Sequence, residues 1–399
     1  MPRTVWALGF VSMFMDMSSE MIHSLLPVFL VASLGASPVL VGLIEGVAEA
    51  TASITKVFSG WLSDRIGHRK GLAVLGYGLG ALTKPVFPLA ITPYEVLGAR
   101  FADRIGKGLR GAPRDALVSD VTPGHLRGAA FGLRQSLDTV GAFIGPLAAM
   151  GLMVLMDNDM RGVFGYAVIP AAIAVLLLVF GVEEASETRP SGAAEAPIRW
   201  SEVQSIGTRY WLAVVVGVLF TMARFSEAFL VLRGSEAGMP LALVPLVLIA
   251  MNVVYAATAA PLGSLSDKVG RKVVMAGGLA ALIAADLVLA FLGDIVGVFV
   301  GVALWGLHMG CTQGLLAALV ADTAPSRLRG TAFGVFNLAC GVTMLAASGL
   351  AGALWAKAGA TATFLAGAGF AVVALVGLGI LMRDVAPSGG PDASFPGRP

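Results

Sequence analysis

Gly60-Trp-Leu-Ser-Asp-Arg-Ile-Gly-His-Arg-Lys70 returns further along the chain as Gly263-Ser-Leu-Ser-Asp-Lys-Val-Gly-Arg-Lys272. The offset is 263 − 60, or 203 residues. A second pair keeps nearly the same step. Asp120-Val-Thr-Pro-Gly-His-Leu-Arg-Gly-Ala-Ala-Phe-Gly132 matches Asp322-Thr-Ala-Pro-Ser-Arg-Leu-Arg-Gly-Thr-Ala-Phe-Gly334, at 322 − 120, or 202 residues. Two unrelated motifs at almost one offset mark an internally duplicated chain. Each copy falls in a basic loop between long apolar runs.

Those runs set the fold class. Of 399 residues, 57% are hydrophobic and 13% charged, against about 25% charged in an ordinary soluble domain. Apolar stretches of about 20 residues recur throughout, each long enough to cross a hydrocarbon core of about 30 Å. The ten-residue alternation of a membrane β-barrel is absent from the sequence. Twelve spans can be drawn, near 5–32, 38–60, 71–91, 94–118, 128–155, 162–182, 209–232, 240–263, 273–293, 295–320, 330–355 and 361–382. The first begins behind Arg3 without a small-residue cleavage site, and so reads as a membrane helix rather than a signal peptide. An even number of spans per repeat keeps both copies in one orientation. The expected architecture is an all-α membrane protein of two six-helix bundles related as a parallel repeat.

The division follows from the polar stretch rich in Glu, Ser, Pro and Ala that separates the sixth and seventh spans. The expected domains are residues 1–182, a cytoplasmic linker 183–207, a second bundle 208–384, and a tail 385–399 whose Pro/Gly/Ser composition reads as disordered. Lys and Arg concentrate in loops on one side, at Arg65, Arg69 and Lys70, at Lys268, Arg271 and Lys272, and at Arg127, Arg189, Arg199, Arg327 and Arg329. The other side holds little beyond Arg161, Arg233 and Lys357. Positive loops stay inside, so both termini are expected in the cytoplasm of a multi-pass inner-membrane protein. A net charge of +2 implies no nucleic-acid partner. Cys311 and Cys340 form neither a disulfide framework nor a zinc spacing.

Ionisable groups inside spans are costly and mark sites by default. Arg100, Arg104, Lys107, Arg110 and Arg114 recur every three or four residues from Gly98 to Asp120, so they share one helical face with Asp103. Asp16, Glu20 and His23 form a face of the first span, and Glu45, Glu49 and Lys56 a face of the second. Lys84 and Asp286 read as packing groups. The seventh span carries Arg224 and Glu227, the latter matching Glu20. Two alternatives stand beside each other for these charges. They titrate during transport, with Glu20 or Asp16 exchanging a proton against Arg100 and Arg104, or they are static buried ion pairs. Met13, Met15, Met17 and Met21 near the acids read as filler. His308 with Cys311, and Cys340 with Met344, offer soft-metal donors, but no metal site and no cofactor is expected.

The Gly-x-x-x-Asp-Arg-x-Gly-x-Arg-Lys loop at 60–70, with its second copy, resembles the major facilitator superfamily over nearly the whole chain. Arg100-Phe101 resembles the fourth-helix motif of proton-coupled drug exporters in that family, although Asp103 and Arg104 replace the usual Gln-Gly. Gly141-Ala-Phe-Ile-Gly-Pro146 resembles the antiporter branch's fifth-helix motif, and small residues there also serve close helix contact. The resemblance implies a conformational latch at Gly60, Asp64, Arg65, Gly67 and Arg69, repeated at Asp267, Gly270 and Arg271. Arg110, Arg114 and Asp115 are expected near the mouth beside the Asp64 loop. The implied function is alternating-access secondary transport, with proton-coupled efflux of a small organic compound foremost, by a monomer in the lipid bilayer. Transport of an anionic metabolite, metal ion or metal complex is the alternative, since a basic stripe attracts anions. An intramembrane enzyme or sensor is a second class, hinted at by Glu20-x-x-His23. No Gly-x-x-x-x-Gly-Lys-Ser/Thr run suggests an ATP-driven pump.

Overall fold

The computed structural model describes residues 1–66, 68–183, 206–324 and 328–383. Every described element is helical. Among the described residues nine stretches are long and apolar enough to cross a membrane. One of them, Thr331–Gly379, contains Gly359 at φ 78°, ψ −179°, where the helix direction is interrupted, and so holds two spans. The first and fourth spans, Arg3–His23 and Pro93–Val121, carry the charged faces and complete the expected twelve.

The remaining spans are Pro38–Ile66, Arg69–Thr83 with Val86–Leu89, Arg127–Leu155, Met160–Tyr166 with Val168–Gly181, Thr208–Ala223 with Ala228–Glu236, Leu246–Val269, Arg271–Phe291 and Ile295–Thr323. The first packs on the fifth and the third on the fourth. In the second half the eighth packs on the tenth and the ninth on the tenth. Between the halves the main contact joins the second span to the eleventh. The fourth span begins at Thr92, whose hydroxyl accepts from Glu95 N while the Glu95 carboxylate accepts from Thr92 N at 3.2 Å. That reciprocal cap satisfies donors that the helix start would otherwise leave open.

Two spans expected as continuous helices are broken at mid-depth. The first stops at His23 and resumes at Leu26, with Pro27 supplying no N–H to continue the ladder. The seventh stops at Ala223, and Arg224 leaves helical geometry at φ −110°, ψ 79°. No proline stands there. The break survives because its backbone is satisfied otherwise: Ser226 N donates to Ser348 Oγ at 3.3 Å, and Ala228 N donates to Ser226 Oγ at 3.2 Å. Unwound backbone at membrane depth is tolerated where it is buried in protein or lines a cavity.

The expected linker 183–207 lies almost wholly outside the described residues, as does the tail 385–399. Gly67 lies outside them too, and the side chains of Asp64 and Arg65 and the surroundings of Gly60 are likewise not described. In the second copy, Gly270 sits at φ 92° between the eighth and ninth spans. This conformation favours glycine and turns the chain sharply from one helix into the next.

Candidate functional site

The charged faces of the first bundle meet as a ladder. His23 stands between two carboxylates, with Nδ1 3.4 Å from Glu20 and Nε2 3.6 Å from Glu45. Arg100 Nη2 donates to the same Glu45 carboxylate at 2.6 Å. Both Glu45 and Arg100 are almost fully buried. One turn further along, Arg104 pairs with Glu49 at 3.2 Å, and Lys84 donates to Asp103 at 2.9 Å and to Ser19 Oγ at 3.0 Å. Further toward the repeated loops, Arg110 reaches Asp16 at 3.4 Å and lies over the Tyr77 ring at 4.6 Å. Arg114 donates to Ser12 Oγ and to Asp115, each at 3.1 Å. Asp138 and Arg134 of the fifth span close this end, with Arg134 3.7 Å from Asp138. From Arg100 to Arg114 the ladder covers about 20 Å at 1.5 Å per residue.

The expected counter-ions are therefore rearranged. Arg100 and Arg104 pair with Glu45 and Glu49 of the second span, not with Glu20 or Asp16. Those two second-span acids lie one turn apart, and so do the arginines, so parallel helices match them in register. Arg110 meets Asp16 and Arg114 meets the fifth span; neither has a described contact with the Asp64 loop. Lys107, on the same face, is exposed and joins no ion pair among the described residues. The buried pair of Lys84 and Asp103 makes Lys84 a partner of the stripe. Arg69 pairs with Asp120, which links the two loop motifs of the first half. Gly145 lets the fifth span lie against the break of the first: a Cβ there would come within 2.8 Å of Glu20 Cβ.

A cavity of about 660 Å³ lies between the halves and is lined mostly by the second. Phe220, Thr221 and Arg224 come from the seventh span at its break, and His308, Thr312, Gln313 and Leu316 from the tenth. Phe333, Phe336, Asn337, Cys340 and Met344 come from the first half of the eleventh, and Lys56 from the second span. All lie at mid-depth or toward the side of the repeated loops. On the other side the halves are shut. Second and eleventh spans approach so closely that a Cβ on Gly46 would come within 2.9 Å of Leu345 Cα, and on Gly352 within 2.9 Å of Val39 Cα. Leu26, Phe29 and Leu30 share one buried apolar cluster with Phe229 and Leu230. The second and eleventh spans remain together down to Ser53 and Gly341, and beyond them the cavity opens.

Glu227, expected to match Glu20, is half-buried beside the break and joins no ion pair among the described residues. His308 contacts the Gly278 carbonyl through Nδ1 at 2.8 Å. A carbonyl only accepts, so Nδ1 carries the proton. Cys311 is buried and, unlike Cys340 and Met344, is not part of the described cavity lining. Among the described residues no group of three His, Cys, Asp or Glu side chains is arranged to hold a metal. Asp286, read as a packing group, is wholly buried, and neither carboxylate oxygen has a described hydrogen-bond partner.

Comparison with known proteins agrees with this architecture. The family model of the Major Facilitator Superfamily matches residues 8–342 and, in a second overlapping match, 228–398. The chain belongs to the Major Facilitator Superfamily. It is 31% identical over 377 residues to an uncharacterized MFS-type transporter of Methanocaldococcus jannaschii, covering 93% of each chain. It is 25% identical over 384 residues to the inner membrane transport protein YajR of Escherichia coli, covering 93% of this chain and 81% of that one. Among solved structures, a crystal structure of the nucleoside transporter NupG superposes with a TM-score of 0.80 over 95% of this chain at 13% identity, which is a likeness of fold. The protein is thus a multi-pass membrane transporter and not an enzyme.

Proposed function

We propose that this chain is a proton-linked secondary transporter that moves a small organic solute by alternating access. The observation that carries this reading is a cavity between two bundles, open toward the repeated loops and shut on the opposite side by apolar packing. Such an arrangement is one of the two end states that alternating access requires. The positive loops assign the open side to the cytoplasm, so both termini are cytoplasmic and the chain sits in the inner membrane as a monomer of two bundles, 1–182 and 208–384. Export is the foremost direction. The Arg100-Phe101 and Gly141–Pro146 motifs support it by resemblance to antiporters.

Proton linkage is placed at the break of the first span. His23 touches two carboxylates, and only Glu45 has an arginine as well. Moving a proton on or off Glu20 or His23 changes the charge that Arg100 and Glu45 must balance, and so favours one packing of the bundle over another. Asp16, Glu49, Asp103 and Arg104 hold the ladder in register, and Lys107 and Glu227 remain available to pair in the other state. Around the loops, Arg69 with Asp120 latches the open state, with Asp64, Arg65, Asp267 and Arg271 assigned to the same role by resemblance.

A thermal-shift screen of organic cations, anions and neutral solutes at two pH values identifies a stabilising solute. In proteoliposomes loaded with that solute, an imposed pH gradient is expected to drive its movement in the wild type and not in Glu20→Gln. Gradient-driven movement undiminished in Glu20→Gln removes that carboxylate from coupling.

A further inference from the structure

We infer that the cavity selects organic anions, held between Lys56 of the first bundle and Arg224 of the second. This rests on the transporter reading only in naming the anion a substrate. It stands on features of the cavity itself.

Among the described lining residues Lys56 and Arg224 are the only charged groups, and both are cationic. Neither has an ion-pair partner among the described residues. Every other arginine of the ladder that enters the first bundle is matched to a carboxylate within 4.0 Å. The basic stripe, which suggested anions from sequence, is therefore largely neutralised by its own acids. The positive charge that faces the cavity lies elsewhere, at the broken seventh helix, where Glu227 is near Arg224 but makes no described ion pair with it, and across from it at Lys56. Glu227 on the break is not part of the lining, and Glu49 on the facing wall is already joined to Arg104.

The remaining lining defines the rest of the ligand. Thr221 and Thr312 spend their hydroxyl protons on Gly217 and His308 carbonyls at 2.8 Å each. Gln313 and Asn337 make no described side-chain hydrogen bond, so their amides can donate to an oxyanion. With Nδ1 committed to Gly278, His308 Nε2 is an acceptor for a hydroxyl or amine. Phe220, Phe333 and Phe336 supply an apolar wall. A cavity of about 660 Å³ suits an anion with an aromatic or aliphatic body, within the usual range of small-molecule sites. The anionic group can be a carboxylate, sulfonate or phosphate. All share oxyanion geometry that a guanidinium and an ammonium recognise.

Cys340 lines the same cavity and reports on its potential without knowledge of the natural substrate. In the full-length protein carrying Cys311→Ala, Cys340 is reacted with a sulfonate-bearing and a trimethylammonium-bearing methanethiosulfonate. Rates are normalised to a small free thiol. The sulfonate reagent is expected to be favoured by about tenfold or more, the scale at which a lined cleft concentrates counter-ions. Lys56→Gln and Arg224→Gln each reduce the preference, and the double variant removes it. Arg224→Lys keeps it, which excludes a folding defect as the cause, and Lys357→Gln, at the helix end before Gly359 and outside the cavity lining, leaves it unchanged. Carboxyfluorescein slows the modification and rhodamine 6G does not. A preference for the trimethylammonium reagent, a sulfonate preference that survives the double variant, or protection by rhodamine alone overturns the inference. These rates do not depend on transport, so they fail or succeed apart from the gradient experiment.

Discussion

The two bundles use charge in opposite ways. In the first, the arginines from Arg100 to Arg114 are each matched to an acid, Lys107 alone on that face joining no described ion pair. In the second, two charged groups within the spans stand without a described ion pair: Arg224 reaches a cavity, and Asp286 lies in the core without a described hydrogen-bond partner. On the proposed function, the difference separates two jobs. A matched ladder is neutral to an incoming solute and sensitive to a single proton, because removing one charge strands its partner in low dielectric. An unmatched cation beside open space is cheap to leave and ready to bind.

Several variants sharpen or break that contrast. The largest effect is expected at Glu45, whose carboxylate serves both Arg100 and His23. Glu45→Ala strands a buried arginine and should cost about 3–5 kcal/mol in equilibrium unfolding from mixed micelles. A loss below about 1 kcal/mol would mean that the pair is solvated and the ladder is not the matched unit described. Lys84→Met should destabilise on a comparable scale by stranding Asp103. The double variant Lys84→Met/Asp103→Leu should return to within about 1 kcal/mol of wild type, because replacing a whole buried pair by apolar groups is often neutral. A double variant as unstable as the single one would show that Asp103 was not the partner that mattered.

At the loops the expected effect is smaller. Arg69 and Asp120 are both partly exposed, and Asp120→Asn should change stability by about 0–1 kcal/mol, less at high salt. Smallest of all is Lys56→Gln, expected within about 0.5 kcal/mol of wild type in the same unfolding assay, since the side chain is exposed and unpaired. A large loss there would make Lys56 part of the matched scaffold and dissolve the contrast between the bundles.

Much of this was legible in the sequence. Repeats at one offset with loops of one charge sign specify two like-oriented bundles, and the spacing of Arg100 to Arg114 specifies a charged face. Partners were not legible, because a helical face fixes direction but not which neighbour it meets. Arg110 meets Asp16 only through the antiparallel packing of first and fourth spans. Asp138 and Arg134 were not legible either, because one i, i+4 pair near the end of an otherwise apolar fifth span reads as an ordinary helix-surface ion pair. The cavity was hidden for a related reason. Thr221, Thr312, Gln313 and Asn337 are isolated neutral residues in apolar runs, and the break at Arg224 has no proline to announce it. Its signal is Arg224-Phe-Ser-Glu227 itself, four residues with two charges and a serine inside an otherwise apolar run.

The account turns on two bundles that rock about a shared cavity. Spin labels in a cysteine-free background test this directly, with one pair at Ala129 and Val269 near the repeated loops and another at Ser33 and Leu243 on the opposite side, all four exposed. Electron–electron distance distributions are then recorded as pH is lowered. The account predicts two populations at each pair that shift in opposite senses, the loop-side distance shortening as the far-side distance lengthens, with Glu20→Gln fixed in one population. A single unchanging distribution at both pairs, or both distances lengthening together, would contradict it.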